Sequence, residues 1–338
     1  MLAAVTGANG HIGNTLVRLL IERGWRVRAG IHGADGALDG VDCERVPVEV
    51  TDPTTLAPLV EGADVLFHLA AVISIDGDRG GVVTRVNVEG AENAARAAHA
   101  AGVRRMVHVC SIHAFDPHPL DEVVDEDRRR AVDSPRAYDR SKALGEQAVR
   151  AVGLETGLEV VIVHPTAVIG PHDHARSRMG RVLLDLAWRK LPSLVPGGFD
   201  WVDVRDVAEG CLAAAERGRP QTSYLLSGRW ASVGELAATA RAITDVAPPR
   251  MTTPRWLISM AVPFSVGWGR LRRREPLFTF ESIEALRNYP QISHARATAE
   301  LGYTPRPLAE TVYDAYVWFA ADGALPPGLT LTGPERAE

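Results

Sequence analysis

A tyrosine and a lysine four positions apart, Tyr138 and Lys142, are the residues of this sequence whose types and spacing first suggest chemistry. On a helix, residues at i and i+4 share one face, so the phenol and the ammonium point the same way. A nearby cation favours the phenolate, and Lys142 is therefore expected to lower the pKa of Tyr138 toward the working pH. Tyr138 would then be a general acid or base for a carbonyl or an alcohol. The Y-x-x-x-K spacing alone is common by chance, and in most cases it indicates only a tyrosine on the protein surface.

A glycine-rich turn at the start of the chain changes that interpretation. A short apolar run over 2–5 precedes Gly7, Gly10 and Gly13, and apolar residues at helical spacing follow over 12–23. Strand, glycine turn and helix form the dinucleotide-binding arrangement. Gly7 permits the tight turn, Gly10 lets the backbone approach a pyrophosphate, and Gly13 allows close packing of helix on strand. A turn without a ligand needs glycine too, but the flanking strand and helix favour nucleotide binding.

The elements that must position these residues alternate between strand and helix. Predicted strands cover 25–31, 45–50, 64–69, 104–110 and 158–164, and predicted helices cover 82–101 and 138–155, with a further helix opened by Pro53. Such alternation predicts an α/β fold, a doubly wound parallel Rossmann sheet with right-handed crossovers. Ligands of such sheets lie beyond the carboxyl ends of the strands, where Tyr138 and the glycine turn would meet.

From Pro165 onward the alternation is looser, which indicates a smaller, interleaved C-terminal α/β substrate domain. Predicted elements there are a helix over 177–190, a strand and helix over 201–216, a strand over 224–226, a capped helix over 232–244, and helices over 279–288 and 309–320. The expected domains are 1–164 with about 203–227 for the dinucleotide, about 165–202 with 228–325 for the substrate, and a frayed tail over 326–338.

The composition excludes several classes of partner. The 338 residues are 46% hydrophobic and 23% charged, as in ordinary globular enzymes, and the net charge of −5 argues against nucleic acid. The basic run over 270–274 is expected to be a solvated face. The most apolar late stretch, 256–268, is too short to span a membrane and predicts a buried helix or pocket wall. Three scattered cysteines without metal-ligand spacing, and an N-terminus that enters a strand at once, indicate a cytoplasmic protein without a metal site.

Together these motifs resemble the extended short-chain dehydrogenase/reductase family over nearly the whole chain. The matching residues are Thr6-Gly7-Ala-Asn-Gly10-His-Ile-Gly13, Asp52, His68-Leu-Ala-Ala71, Asn87-Val-Glu-Gly90, Ser111, Tyr138-x-x-x-Lys142 and Pro165-Thr-x-Val168-x-Gly170-Pro171. The resemblance implies that Ser111 holds the substrate oxygen, Tyr138 transfers the proton, and Lys142 binds the nicotinamide ribose. It also implies a set of cofactor contacts: Gly7, Asn9, Gly10, His11, Ile12, Gly13, Asp52, Leu69, Ala70, Ala71, Pro165 and Val168. From the residues alone, Ser111 could simply end a strand, and Asp52 could cap the helix opened by Pro53.

The choice between NADP(H) and NAD(H) depends on the end of the second strand. An NAD enzyme usually places an acid about 20 residues after the glycines, but the residues here are Ile31 and His32. NADP-using reductases of the family commonly have arginine where His32 stands. NADP(H) is therefore favoured over NAD(H), with Arg28 as a possible helper, although Asp35 and Asp39 weaken the case and an imidazole grips phosphate less firmly than a guanidinium does.

The resemblance is strongest to the dihydroflavonol-reductase-like branch, which reduces ketones or aldehydes. Nucleotide-sugar epimerases commonly have asparagine where Ala167 stands. Dehydratases usually have a Thr-Asp-Glu cluster beside the catalytic serine position, whereas Ile112 and His113 follow Ser111 here, so an extra acid and base for water elimination are not evident. A nucleotide-sugar epimerase or dehydratase and a non-catalytic NADP-sensing regulator remain alternatives. Arg205 could contact substrate or pair with Asp206.

A largely apolar pocket for a small carbonyl or alcohol is expected. Its predicted members are Ile73, His113, Phe115, Thr166, Met179 and Trp201. His113 could contact the substrate or only orient its own loop. By resemblance, the two long helices over 82–101 and 138–155 could form a homodimer.

Overall fold

A seven-stranded sheet runs through the protein, whose computed structural model describes residues 1–34, 36–75, 77–254, 257 and 284–334. Its strands are β1 (Leu2–Thr6), β2 (Arg26–Ile31), β3 (Glu44–Pro47), β4 (Val65–His68), β5 (Arg105–Val109), β6 (Glu159–Pro165) and β9 (Ser223–Leu226). They are ordered β3-β2-β1-β4-β5-β6-β9, and every pair is parallel. The order reverses between β1 and β4, where doubly wound sheets open a ligand crevice.

Helices cover both faces of this sheet. They are α1 (His11–Glu22), α2 (Pro53–Val60), α3 (Val82–Thr84), α4 (Gly90–Ala100), α5 (Ala137–Thr156), α6 (Arg178–Ala187), α7 (Val204–Arg217), α8 (Val233–Thr244), α9 (Ala295–Leu301) and α10 (Leu308–Ala321). Successive strand residues point to opposite faces, so Ala3 and Val5 pack with α1 and α7, whereas Leu2 and Ala4 pack with α2, α4 and α5. Burial on both faces explains why the central strands β1 and β4 are nearly continuous apolar runs. The predicted fold class is confirmed.

A second, three-stranded sheet lies outside the main sheet. It consists of β7 (Ala167–Ile169), β8 (Gly198–Asp203) and β10 (Arg229–Ser232), with β8 parallel to β7 and antiparallel to β10. Its apolar residues form a separate hydrophobic cluster with α6, α8 and α10. β7 and β10 are not predicted from the sequence, because strands of three or four residues carry too little alternation to recognise.

Two predicted helices are confirmed with instructive details. The helix predicted over 82–101 is interrupted by a π-helical turn over Arg85–Glu89, so α3 and α4 are separate elements. Ser232 caps α8 as expected: its Oγ accepts from Glu235 N at 3.1 Å, and the Glu235 carboxylate accepts from Ser232 N at 2.8 Å.

The frayed tail expected over 326–338 is a correction: its described part, 326–334, packs against the rest of the protein. Leu329 and Leu331 pack on the hydrophobic cluster that the second sheet forms with α6, α8 and α10. Thr332 N donates to the Ile243 carbonyl at 2.8 Å. Several predictions fall on residues that the structure does not describe. These are Asp35, the run over 256–268 apart from Leu257, the run over 270–274, the first half (279–283) of the helix predicted over 279–288, and residues 335–338. Within the described ranges, no helix is both long and apolar enough to cross a membrane. The predicted division into domains stays a prediction.

Candidate active site

The turn between β1 and α1 is so tight that two of its glycines leave no room for a side chain. Gly7 has φ +66°, and a Cβ there would lie 2.8 Å from the backbone nitrogen of Ala70; a Cβ at Gly13 would lie 2.1 Å from the Gly7 carbonyl oxygen. Gly10 is the N-cap residue of α1 and has no side chain to occupy the first N–H groups of the helix. A backbone cradle at a helix N-terminus suits a pyrophosphate. These residues therefore fit the dinucleotide that the sequence predicts.

Hydrogen bonds tie the ends of neighbouring strands to this turn. Thr6 Oγ1 accepts from the backbone N–H groups of Leu69 at 3.1 Å and Ala70 at 3.2 Å. Asn9 Nδ2 donates to the carbonyl oxygen of His32 at 2.9 Å, which links the loop after β2 to the turn. The other predicted cofactor residues lie at the start of α1 (His11, Ile12), after β4 (Ala71) and around the end of β6 (Pro165, Val168).

The expected 2′-phosphate site contains the carboxylate of Glu49, which was not predicted there from the sequence. His32 is exposed, and its Nε2 lies 3.2 Å from Glu49 Oε2. Arg28 is directed elsewhere: its Nε donates to Glu44 Oε2 at 2.8 Å, and its Nη1 donates to backbone carbonyls at the end of α2. These contacts hold the Arg28 guanidinium beside β3 and α2, and a helper role of Arg28 at the 2′-phosphate stays a prediction.

Asp52 has the structural role that was one of its two interpretations. It is the N-cap residue of α2, and its Oδ1 accepts from Thr54 N at 3.0 Å and Thr54 Oγ1 at 2.7 Å. These two hydrogen bonds lower the pKa of the exposed Asp52 carboxyl. Pro53 follows as the first residue of the helix, as expected. A contact of Asp52 with adenine stays a prediction.

Ser111, Tyr138 and Lys142 converge although β5 and α5 are separated by a long loop. Ser111 lies two residues after the end of β5, and its Oγ accepts from the backbone N–H of His113 at 3.2 Å. The Ser111 hydroxyl also makes a hydrogen bond with the Tyr138 phenol, which acts to lower the pKa of that phenol. Lys142 is buried one turn along α5, and its Nζ donates to the Val109 carbonyl at 3.2 Å.

The predicted low pKa of Tyr138 is wrong in this structure. Burial raises the pKa of the phenol above its ordinary value of 10, and this effect exceeds the opposing hydrogen bond with Ser111. Burial also lowers the pKa of Lys142. Removing either group from water disfavours its charged form. The i, i+4 spacing correctly predicted that the two side chains share a helix face, but it could not report their burial.

Asn87 holds the loop after β4 against α5. Its Oδ1 accepts from Val72 N at 2.8 Å, and its Nδ2 donates to the Val72 carbonyl at 3.0 Å and to Ser141 Oγ at 2.9 Å. Ser141 Oγ in turn donates to the Tyr138 carbonyl at 2.8 Å. This buried amide therefore fixes the first turn of α5, and with it the tyrosine, relative to the cofactor side of the crevice.

A fully buried histidine behind Ser111 was missed by sequence reasoning. His164 Nδ1 lies 3.1 Å from the Ser111 carbonyl oxygen and its Nε2 lies 3.2 Å from Ser223 Oγ. Because a carbonyl can only accept, Nδ1 carries the proton and Nε2 accepts from the serine hydroxyl. Burial lowers the pKa of His164 to about 4, so the ring is neutral at ordinary pH. His164 thus supports the backbone of the serine and takes no part in proton transfer.

Glu146 completes this buried network with two cations. Its carboxylate accepts from Arg130 Nε at 2.8 Å and from Arg150 Nε at 3.0 Å. Burial opposes ionisation, but His164 and both guanidinium groups hold the pKa of Glu146 down to about 2. Ligand atoms of Cys110, Glu146 and His164 lie within 4.8 Å of one another. Two adjacent guanidinium groups and a thiol whose pKa burial raises to about 12 disfavour a cation there.

The six predicted pocket residues separate into two groups. The prediction is corrected for Phe115 and Trp201, because both side chains are buried. Phe115 lies beneath the Arg130 guanidinium, and Trp201 Nε1 donates to the Ala231 carbonyl at 3.0 Å. At these positions in a loop and a strand, both side chains point into the packed interior, where an aromatic ring buries a large apolar surface. The other four retain some exposure: Ile73, His113, Thr166 and Met179.

Arg205 is held in a local ion-pair network. Its Nη2 lies 2.7 Å from Asp203 Oδ2 and its Nη1 lies 2.7 Å from Asp314 Oδ2. The suggested partner Asp206 instead contacts Arg306, whose Nε is 2.8 Å from its Oδ1. The suggested pairing of Arg205 with Asp206 is therefore wrong: in α7 the Asp206 side chain is turned toward the segment before α10, while Asp203, the N-cap residue of α7, faces Arg205.

A second histidine–carboxylate pair, His113 and Asp139, lies next to Tyr138. His113 Nδ1 is 2.9 Å from Asp139 Oδ1, and Arg136 Nε donates to Asp139 Oδ2 at 2.5 Å. Burial opposes ionisation of Asp139, but His113 and Arg136 lower the pKa of its carboxyl below the ordinary value. The acid that contacts His113 is Asp139 of α5, the residue directly after Tyr138. The spacing of these residues in the sequence does not predict this pair.

Comparison with known proteins agrees with this architecture. The family model described as NAD dependent epimerase/dehydratase matches residues 3–226. The chain is 34% identical over 330 residues to sterol demethylase protein B of Methylococcus capsulatus, covering 96% of this chain and all of that protein. It is 29% identical to a putative dihydroflavonol 4-reductase of Synechocystis, covering 94% of each. The crystal structure of gox2253 superimposes with a TM-score of 0.83 at 31% identity, covering 96% of this chain and 99% of that one.

Proposed function

The chain belongs to the NAD dependent epimerase/dehydratase family, within the extended short-chain dehydrogenases/reductases, and on that premise we propose that it reduces a ketone or aldehyde, or oxidises the corresponding alcohol. The observation that carries the proposal is the convergence of Ser111, Tyr138 and Lys142 beside a glycine cradle for a dinucleotide. The similarity to a putative dihydroflavonol 4-reductase supports the reductase branch.

Each residue of the trio has a distinct task in this proposal. A bound nicotinamide dinucleotide supplies hydride chemistry. Ser111 donates a hydrogen bond to the substrate oxygen, and Tyr138 gives that oxygen its proton. The raised pKa of Tyr138 keeps the phenol protonated, which is the form needed to donate in the reducing direction. Lys142 binds the nicotinamide ribose and places a cation where the phenolate forms, which stabilises that phenolate.

We propose NADP(H) as the favoured cofactor. Support comes from the exposed His32 at the end of β2 and from Ile31 in place of the acid that would bind a ribose hydroxyl. The carboxylate of Glu49, 3.2 Å from His32, repels a phosphate and makes the expected preference over NAD(H) modest. The proposed substrate is an apolar carbonyl compound, since Ile73 and Met179, two of the predicted pocket residues, are apolar and partly exposed.

Nucleotide-sugar epimerisation is the alternative within the same family. Two features oppose it. Ala167 replaces the asparagine expected for the substrate pyrophosphate, and Arg205 is neutralised by Asp203 and Asp314. A non-catalytic NADP sensor is opposed by the intact trio, since a sensor has no need for a buried phenol next to a serine hydroxyl.

The setting of the proposed enzyme is cytoplasmic. The three cysteines are free thiols, two of them buried. A homodimer through α4 and α5 is proposed from the resemblance, and Leu154 of α5, which is 75% exposed, supports it as an apolar residue available to a partner. Light scattering of the purified protein distinguishes a dimer from a monomer.

The proposal is tested by Tyr138→Phe. We expect turnover to fall by about 10²- to 10⁴-fold because the proton donor is lost, with cofactor binding unchanged by calorimetry. Turnover is followed as NADPH consumption against a panel of apolar ketones and aryl aldehydes, and UDP-sugars are included for product analysis. Tyr313→Phe, on α10, is the matched control and should behave as wild type. Near-wild-type reduction by Tyr138→Phe would contradict the assignment.

A further inference from the structure

His113 is placed to act on a substrate held by Ser111 and Tyr138. Its backbone N–H donates to Ser111 Oγ at 3.2 Å, and its ring lies edge-on to that of Tyr138, with centroids 5.4 Å apart. The ring of Tyr289 packs on it from another side at 6.0 Å. About a third of the His113 side chain is exposed, whereas the Asp139 side chain is almost fully buried. The imidazole therefore borders the site, and the acid behind it does not.

The contacts of His113 determine which nitrogen can exchange a proton. The ionised Asp139 can only accept, so the hydrogen bond of 2.9 Å places a proton on Nδ1 of His113. Arg136 holds the second carboxylate oxygen at 2.5 Å and keeps the acid in place. With Nδ1 committed, Nε2 is the nitrogen that gains and loses a proton. The same logic orients catalytic histidines in other enzymes, where the acid also stabilises the imidazolium that forms.

We propose that His113 is a second proton-transfer residue of this site, which removes and returns a proton on the carbon next to the substrate carbonyl. The C–H bond breaks and its proton moves to Nε2, the C–H electron pair becomes a C=C bond, and the carbonyl electron pair moves to oxygen, which takes the Tyr138 proton. The reverse steps restore the ketone, so no oxidant or reductant is consumed. Asp139 is a positioning residue for this step.

The substrate class follows from this chemistry. The inference rests on the proposed function, since Ser111 and Tyr138 must bind a carbonyl oxygen for the neighbouring carbon to become acidic. It limits the exchange reaction to ketones and aldehydes that carry a hydrogen on that carbon. An aryl aldehyde without such a hydrogen could still be reduced, but it could not undergo this exchange.

The test measures proton exchange separately from reduction. The protein with NADP⁺, which cannot reduce, is incubated in D₂O with cyclohexanone and with a saturated 3-keto steroid, and deuterium next to the carbonyl is measured by mass spectrometry. We expect His113→Gln to slow enzymatic exchange by about 10²-fold or more. His99→Gln, an exposed histidine of α4, should exchange as wild type does.

Asp139→Asn distinguishes proton transfer from a structural role. The amide can donate to Nδ1, which shifts the ring proton to Nε2 while keeping the ring in place, so exchange should fall nearly as far as in His113→Gln. A protein that reduces ketones through Tyr138 but exchanges no faster than His113→Gln overturns the inference and leaves the proposed function standing. Exchange that depends on His113 without any reduction supports the inference and overturns the reductase proposal. Absence of both overturns both.

Discussion

The same pair of groups, a histidine and a carboxylate, occurs on both sides of Ser111 with opposite consequences. Behind the serine, His164 and Glu146 are 0% and 2% exposed; in front of it, His113 and Asp139 are 32% and 3% exposed. Both nitrogens of His164 are committed, to the Ser111 carbonyl and to Ser223. His113 commits Nδ1 to its acid and borders the site with the rest of its ring. Burial, more than residue type, therefore separates a support from a group able to exchange protons.

A third pair extends the comparison toward solvent. His32 and Glu49 are 76% and 45% exposed and lie 3.2 Å apart near the expected adenosine site. Exposed ion pairs contribute little to stability because water and salt screen them. We expect His32 and Glu49 to affect instead which cofactor binds, because the two cofactors differ in the charge of the 2′-phosphate. The three pairs should therefore differ in what their removal changes: folding for the buried pair, proton transfer for the intermediate one, and cofactor choice for the exposed one.

The largest effect is expected from Glu146→Ala. Removing this carboxylate leaves Arg130 and Arg150 without their buried partner, and the free energy of unfolding should fall by about 3–5 kcal/mol in urea titrations. Glu155→Ala, on the same helix but 61% exposed, is the matched control and should cost much less. Similar losses in the two variants would show that burial does not distinguish these carboxylates.

A pH titration of stability tests the buried histidine. The pKa of His164 falls from 6.5 to about 4 on folding, so between these values the unfolded chain binds a proton that the folded chain does not. Stability that is complete above pH 6.5 is therefore lost as the pH falls toward 4. His164→Asn keeps a donor for the Ser111 carbonyl but cannot titrate. The wild type should lose about 3 kcal/mol more than this variant across the window, and parallel curves would refute the assignment.

The smallest effect concerns cofactor choice at the exposed pair. His32→Arg supplies a permanent charge and a fork for phosphate, and we expect the affinity for NADPH relative to NADH to rise about tenfold. Titrating both cofactors into each variant by calorimetry measures this ratio. His99→Arg adds the same charge on α4 and should leave the ratio unchanged. An unchanged ratio in His32→Arg would place the 2′-phosphate elsewhere.

Prediction from sequence worked wherever the signal was local. The strand, glycine turn and helix at the N-terminus, and the capping box that begins α8, depend on residues a few positions apart. Prediction failed where the partner was distant. The strands β7 and β10 exist because β8 lies between them, and Phe115 and Trp201 are buried by packing that no short window reveals. His164, within an apolar strand, gave no sign of contacting Ser111.

The sequence by itself determined the doubly wound α/β fold, the glycine turn and the shared helix face of Tyr138 and Lys142, because backbone conformation and side-chain periodicity are local properties of the chain. Ser111 was implied only by the family resemblance. The tertiary structure alone decided the burial of Tyr138, the contact of Arg28 with Glu44, and the contacts and exposure of the histidine–carboxylate pairs. Those properties depend on how much water each group retains and on which distant group replaces it. The desolvation energy that shifts a pKa is set by packing between segments far apart in sequence.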